Sequence, residues 1–241
     1  MAAAPPPAQG DARRTRLGLA LNTSLEDKDP VKILYENSGG KGGSGANATV
    51  EGKCSLLCYA EGVNGERHGF TLVAHNDQPR CQALISKRDI DATNKKLVVN
   101  YLKSKKTGDG LRDAEVVQLI RHGKNLLLYL VHLQSANAVV ADEQLRKLIA
   151  DHIRDHPQED ALIIGDFNRA TEATIKKQVE QNGAKLKVIV DGGGCSRWIL
   201  DRCYMVHFGH TKGVKDVTAE IERTNVHDHN HATLIVSVTF I

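Results

Sequence analysis

Apolar residues in this chain come mostly in short runs separated by Gly, Asn, Asp and Pro, which is the pattern of many strands joined by turns. Runs at 16–22 (RLGLALN), 54–60, 70–74, 81–86 and 97–101 read as strands. AEVVQLIRHGKNLLLYLVHL reads as a hairpin turning around His122, Gly123 and Lys124, with its second strand ending at His132. The spacing changes over 139–155, where apolar residues at 145, 148, 149 and 153 predict a helix with one buried face, closed by DHPQED. A strand at 161–164, a shorter helix over 172–182 with Gly183 as its C-cap, and strands at 186–190, 198–206 and 232–240 complete the pattern. The last strand alternates, placing Ala232, Leu234, Val236, Val238 and Phe240 on one face. Many strands with few helices predict a mixed α/β or α+β domain built on two sheets or one large one.

Two segments fall outside this pattern. NSGGKGGSGANATVEG, 37–52, is Gly-rich and predicts a loop. MAAAPPPAQGDARRTR, 1–16, reads as a disordered leader, leaving 17–241 as one domain. The leader lacks the apolar stretch of a signal peptide, and no run reaches transmembrane length.

Composition narrows the function classes. With 41% hydrophobic residues in 241, the chain can bury a sizeable core. Only 4% are aromatic, which argues against recognition of nucleic acid by a row of stacked bases. The net charge of +3, with Lys103, Lys105 and Lys106 as one basic grouping, tolerates a polyanionic partner without demanding one. Five cysteines without a CxxC pair indicate neither a disulfide framework nor a zinc knuckle. The chain therefore reads as intracellular and reduced, nuclear or cytoplasmic, with no membrane partner.

The candidate chemistry sits at strand ends. In ALIIGDFNRA, Asp166 and Asn168 follow a buried run, well placed to hold a cation or a phosphate, and Gly165 would let the backbone approach a ligand. A Gly-Asp turn with an Asx cap is the plain alternative. His132 ends NLLLYLVH, Glu61 ends CSLLCYAE, Asn22 ends LALN, and Asp201 lies inside SRWILDRCYMV. NVHDHNHATLIV offers His227, His229 and His231 at the spacing of a zinc site, an Asp228–His229 acid/base pair, or a solvated turn. So many polar strand ends exceed what core packing requires, and they suggest a site at one rim of the sheets.

The order Asn22, Glu61, His132, Asp166-x-Asn168, Asp201, Asp228-His229 resembles the endonuclease/exonuclease/phosphatase family, the DNase I-like fold. LIIGDFN is a close match, VHL followed by the helix EQLRKLIADHIRD is a good one, and CQALISKRDI looks like the segment after the family's glutamate strand. The resemblance covers roughly residues 17–241. It implies an α/β fold, a two-sheet DNase I-like sandwich with helices on the outside, hydrolysing phosphoesters with Mg²⁺ or Mn²⁺. By that likeness Glu61 is the principal metal ligand, with Asn22 and Asp228 on the metal side, and Asp166 orients or deprotonates the attacking water. Asn168 holds a phosphate oxygen, His229 with Asp228 stabilises the phosphate charge, and Asp201 with His132 completes the acid/base set. Glu36 competes with Asn22 as the early polar residue.

The chain also departs from the family. Where the family ends SDHxP, His227 stands for the serine and His231 for the proline; Ala60 precedes Glu61 where the family has Gln; and the interval from Asp166 to Asp201 is short. The resemblance implies a nuclease acting on nucleic acid, DNA first, as an endonuclease similar in size to those of non-LTR retrotransposons. Alternatives are a phosphatase or phosphodiesterase acting on an inositol phosphate, a lipid or poly(A), a catalytically silent binding module, and a zinc hydrolase using HDHNH.

Overall fold

The structure, a computed structural model, describes residues 29–37, 48–61, 69–75, 81–87, 97–109, 111–135, 137–190, 200–209, 213–222, 231 and 233–241. In chain order the elements are β1 (Val31–Asn37), α1 (Ala48–Glu51), β2 (Leu56–Ala60), β3 (Phe70–His75), β4 (Gln82–Ser86), β5 (Val98–Lys105), β6 (Ala114–Arg121) and β7 (Lys124–His132). There follow α2 (Ala138–Asp155), β8 (Ala161–Asp166), α3 (Glu172–Gln181), β9 (Lys185–Val190), β10 (Asp201–His207), β11 (Val214–Glu222) and β12 (Thr233–Phe240).

The strands form two six-stranded sheets, ordered β11-β12-β1-β2-β4-β3 and β5-β6-β7-β8-β10-β9. Alternation along each strand decides which residues meet between them. Ile33 and Tyr35 of β1, Leu126, Leu128 and Leu130 of β7, Leu162 and Ile164 of β8, and Leu234, Val236 and Val238 of β12 fill one core between the sheets. The odd-numbered partners on β7, Leu127, Tyr129 and Val131, face the other way and pack on Leu145, Leu148 and Ile149 of α2. Because β7 is covered on both faces, its sequence is a continuous apolar run.

Within each sheet one central pair is parallel, β1 with β2 and β7 with β8, and the remaining pairs are antiparallel. A parallel pair needs a crossover, which α2 supplies between β7 and β8. Its N-terminus is capped by Asn137, whose side chain accepts from the Val139 amide at 2.9 Å. The β6–β7 hairpin turns tightly because His122 and Gly123 both take positive φ, 51° and 73°.

Two strands lie where the hydrophobic pattern named none. VKILYEN forms β1, although its polar residues Glu36 and Asn37 interrupt an apolar run; both are buried. VKDVTAEIE forms β11, an edge strand whose charged residues Lys215, Asp216 and Glu220 are exposed. The first strand expected at 16–22 and the leader at 1–16 lie outside the described residues. The 37–52 segment expected as loop contributes the end of β1 and the single turn α1.

Candidate functional site

Strand direction gathers the polar ends. In the parallel pairs β1–β2 and β7–β8, C-terminal ends lie side by side: Asn37 is in register with Ala60, which places Glu61 beside it, and His132 is in register with Asp166. Antiparallel β10 brings its first residue, Asp201, opposite Asp166. This is why Asp201 opens a strand instead of ending one. The rims of the two sheets meet where Asn37 Nδ2 donates to Asp166 Oδ2 at 3.0 Å.

Asp166 is the centre. It is buried, its Oδ1 accepts the Asn168 amide at 2.8 Å, and the Leu133 amide donates to its carbonyl at 2.8 Å. Burial and the facing Asp201 carboxylate push its pKa up to about 6, against the opposing pull of His231, the Asn168 amide and Arg112. Asn168 sits at φ 50°, a left-handed conformation that Asn tolerates, and its Nδ2 donates to the Leu133 carbonyl at 2.6 Å. Arg112 donates to that same carbonyl at 3.1 Å.

His132 is buried with Nε2 3.4 Å from Glu61 Oε1 and 3.5 Å from Asp166 Oδ2. Desolvation, with Arg112 and His231 adding, lowers its pKa to about 3, so these approaches belong to a neutral imidazole and not to ion pairs. Glu61 is more open than its neighbours, with 35% of its side chain exposed, and takes φ 53° just past β2. Beneath the carboxylates lies Tyr35, fully buried, its phenol raised well above the ordinary range by burial and then by Asp201 and Asp166.

His231 completes the rim. Its Nδ1 lies 3.2 Å from Asp201 Oδ2 and its Nε2 3.5 Å from Asn37 Nδ2. The histidine beside Asp201 is His231, while His132 faces Glu61 and Asp166. Asp228, His229 and His227 lie outside the described residues, as does Asn22. Sequence reasoning missed Asn37, the pairing of His231, and Arg112. Asn37 carried the same strand-end signal as Glu61, masked by the Gly-rich segment that follows it.

Gly165 serves a different purpose from the one read in the sequence. It takes φ 154°, and a Cβ there would lie 1.9 Å from the Val131 carbonyl oxygen. The glycine is required by the neighbouring strand and not by an approaching ligand.

The donor set suits a hard divalent cation. Glu61, Asp166, Asp201 and the Asn37 amide offer oxygen, and two facing buried carboxylates create the negative charge that a cation would relieve. Among the described residues no group of three or more His, Cys, Asp or Glu side chains is arranged to hold a metal ion. The four cysteines described, Cys54, Cys58, Cys81 and Cys203, are buried and free. Among the described residues no helix is long and apolar enough to cross a membrane.

No family model and no curated protein sequence matches this chain. Solved structures do. Truncated Caenorhabditis elegans TDP2 is 14% identical with a TM-score of 0.57, over 88% of this chain and 98% of that one. The endonuclease domain of TRAS1, a telomere-specific non-LTR retrotransposon, is 13% identical with a TM-score of 0.56, over 87% and 98%. An endonuclease/exonuclease/phosphatase family protein from Bacteroides thetaiotaomicron is 10% identical with a TM-score of 0.50, over 88% and 99%. The chain has the DNase I-like fold of the endonuclease/exonuclease/phosphatase proteins, a two-sheet α/β sandwich.

Proposed function

We propose that this chain is a divalent-metal-dependent phosphodiesterase that hydrolyses nucleic acid, as an endonuclease acting on DNA. The observation that carries the reading is the convergence of Asn37, Glu61, His132, Asp166, Asn168, Asp201 and His231 from both sheets on one rim. Nuclease neighbours on the same fold support it.

Glu61, at the open mouth, and Asn37 are the residues placed to hold Mg²⁺, with Mn²⁺ as a substitute; the cation would supply charge to the phosphate oxygens and the leaving oxygen. Asp166 is the base for the attacking water. A carboxylate raised to about 6 still ionises at neutral pH yet accepts a proton more readily than an ordinary aspartate. Neutral His132, with Nε2 toward Asp166 and Glu61, orients that carboxylate without competing for its charge. Asn168 spends one amide hydrogen on Leu133 and keeps the second for a phosphate oxygen. His231, oriented by Asp201, stabilises the developing phosphate charge.

The test is conversion of supercoiled plasmid to nicked circle with Mg²⁺ by wild type and Asp166→Ala. Nicking by wild type that chelator abolishes, and that the variant lowers at least about 100-fold, is expected. No nicking by wild type would move the assignment to a small phosphoester or to a silent binding module.

A further inference from the structure

On β6 the face turned to the inter-sheet core carries Val117, Leu119 and, nearer the rim, Glu115, which is fully buried. A carboxylate at a core position is costly unless it is paired and hydrogen-bonded. Its Oε1 accepts from Ser104 Oγ at 2.8 Å, and Ser104 Oγ lies 3.1 Å from the Tyr101 hydroxyl. Both partners belong to β5, the edge strand of its sheet, where Ser104 pairs with Glu115 across a register shift between Tyr101 and Lys103. The chain of bonds ends on a surface ring: Tyr101 is 39% exposed, beside Leu102 at 40%. A tyrosine that only filled an edge position would need no buried carboxylate to hold it.

The surroundings indicate the occupant. Lys106 is exposed beyond the end of β5, whereas Lys103 and Lys105 pair with Val116 and Ala114 and turn to the α2 side, where Lys105 is committed to Asp155. Asp109 is the acidic residue exposed on the following loop, and Arg112 beyond it reaches the site through Leu133. Ser104 is in line through Glu115 with Leu130, two residues before His132, so β5 runs toward the catalytic rim. Tyr101, in line through Val117 with Leu128, lies roughly 15 Å from His132 by strand spacing. A single strand of a few nucleotides spans that distance, and an exposed aromatic ring with a lysine further toward the rim suits a base and a phosphate between it and the site.

We propose that Tyr101, held by Ser104 and Glu115, is the platform on which a base of single-stranded nucleic acid a few nucleotides from the scissile phosphate stacks, with Lys106 against an intervening phosphate. The proposal rests on the nuclease reading for its substrate, and binding tests it separately from hydrolysis. The probe is a fluorescein-labelled single-stranded 12-nucleotide DNA, titrated with the full chain in EDTA by anisotropy. Tyr101→Ala is expected to weaken binding roughly ten-fold or more, and Tyr101→Trp to restore it. Glu115→Gln is expected to weaken it less, with an unchanged melting temperature separating loosened positioning from misfolding. Lys106→Ala is expected to reduce the salt slope by about 0.7.

Wild type that fails to bind, or Tyr101→Ala that binds within two-fold of wild type, would overturn the platform. So would a Tyr101→Ala variant that changes only the oligomeric state, which would make this edge a contact between copies. Binding through Tyr101 without plasmid nicking would uphold the platform and remove the hydrolysis reading. Nicking with Tyr101→Ala at wild-type affinity would do the reverse.

Discussion

Asp166, proposed as the base for the attacking water, is a buried carboxylate held by few bonds. Two hydrogen bonds hold it, and the facing Asp201 opposes its ionisation. The same economy applies to the terminal histidines. NVHDHNHA offers three imidazoles, and the sequence favoured His229 through its aspartate neighbour, yet His231 is the one beside Asp201. His231→Ala is expected to lower plasmid nicking by about 10²–10³-fold, whereas His229→Ala changes it less than about five-fold. Equal losses in the two variants would favour the Asp228–His229 pairing. Strand-end polarity was visible for Glu61, His132 and Asp166 because each follows an unbroken apolar run. Asn37 was hidden because polar Glu36 precedes it and the Gly-rich segment follows it.

At the scale of elements, α2 both covers a sheet and braces the site. Its Gln144, fully buried, donates to Thr107 Oγ1 at 2.9 Å and the Arg112 carbonyl at 3.2 Å, and accepts from the Gln134 amide at 2.7 Å. These bonds tie the β5–β6 loop and the exit of β7 to one side chain, just behind Leu133 and His132. Gln144→Ala strands a buried amide and leaves two loops without their anchor. It is expected to cost about 2–4 kcal/mol, a fall of roughly 4–16 °C in melting temperature by thermal unfolding, with nicking reduced beyond the folded fraction lost. The apolar spacing at 145, 148 and 149 predicted the helix correctly. It said nothing of Gln144, because a polar residue on an apolar face looks like an interruption until its partners are known.

The whole molecule carries an acid sensitivity away from the candidate site. His152 of α2 is buried between the Tyr129 hydroxyl, 3.0 Å from Nδ1, and the Glu159 carbonyl, 3.0 Å from Nε2, and stacks on His156. Burial is the main cause that lowers its pKa to about 4. The folded state therefore binds fewer protons than the unfolded chain between about pH 6.5 and 4, so stability is full above that window and falls as pH drops through it. The loss is about 3 kcal/mol from this residue. His132, lowered to about 3, adds to it, and Asp166, raised to about 6, opposes it. Urea midpoints measured from pH 7.5 to 4.5 should fall steadily for wild type and distinctly less for His152→Gln. Equal slopes would show that His152 does not set the acid limit.

The order of apolar and polar positions by itself determined the lengths of most strands, both long helices and the carboxylate- and histidine-ended runs, since these follow from local periodicity. It left open which ends share a rim, which imidazole meets Asp201, and why residue 165 must be glycine. Those depend on strand direction and register across two sheets, quantities set by contacts between residues as distant as Asn37 and Asp166. Only the tertiary structure decides them, because the burial that raises Asp166 and neutralises His132 exists only once the sheets have closed on each other.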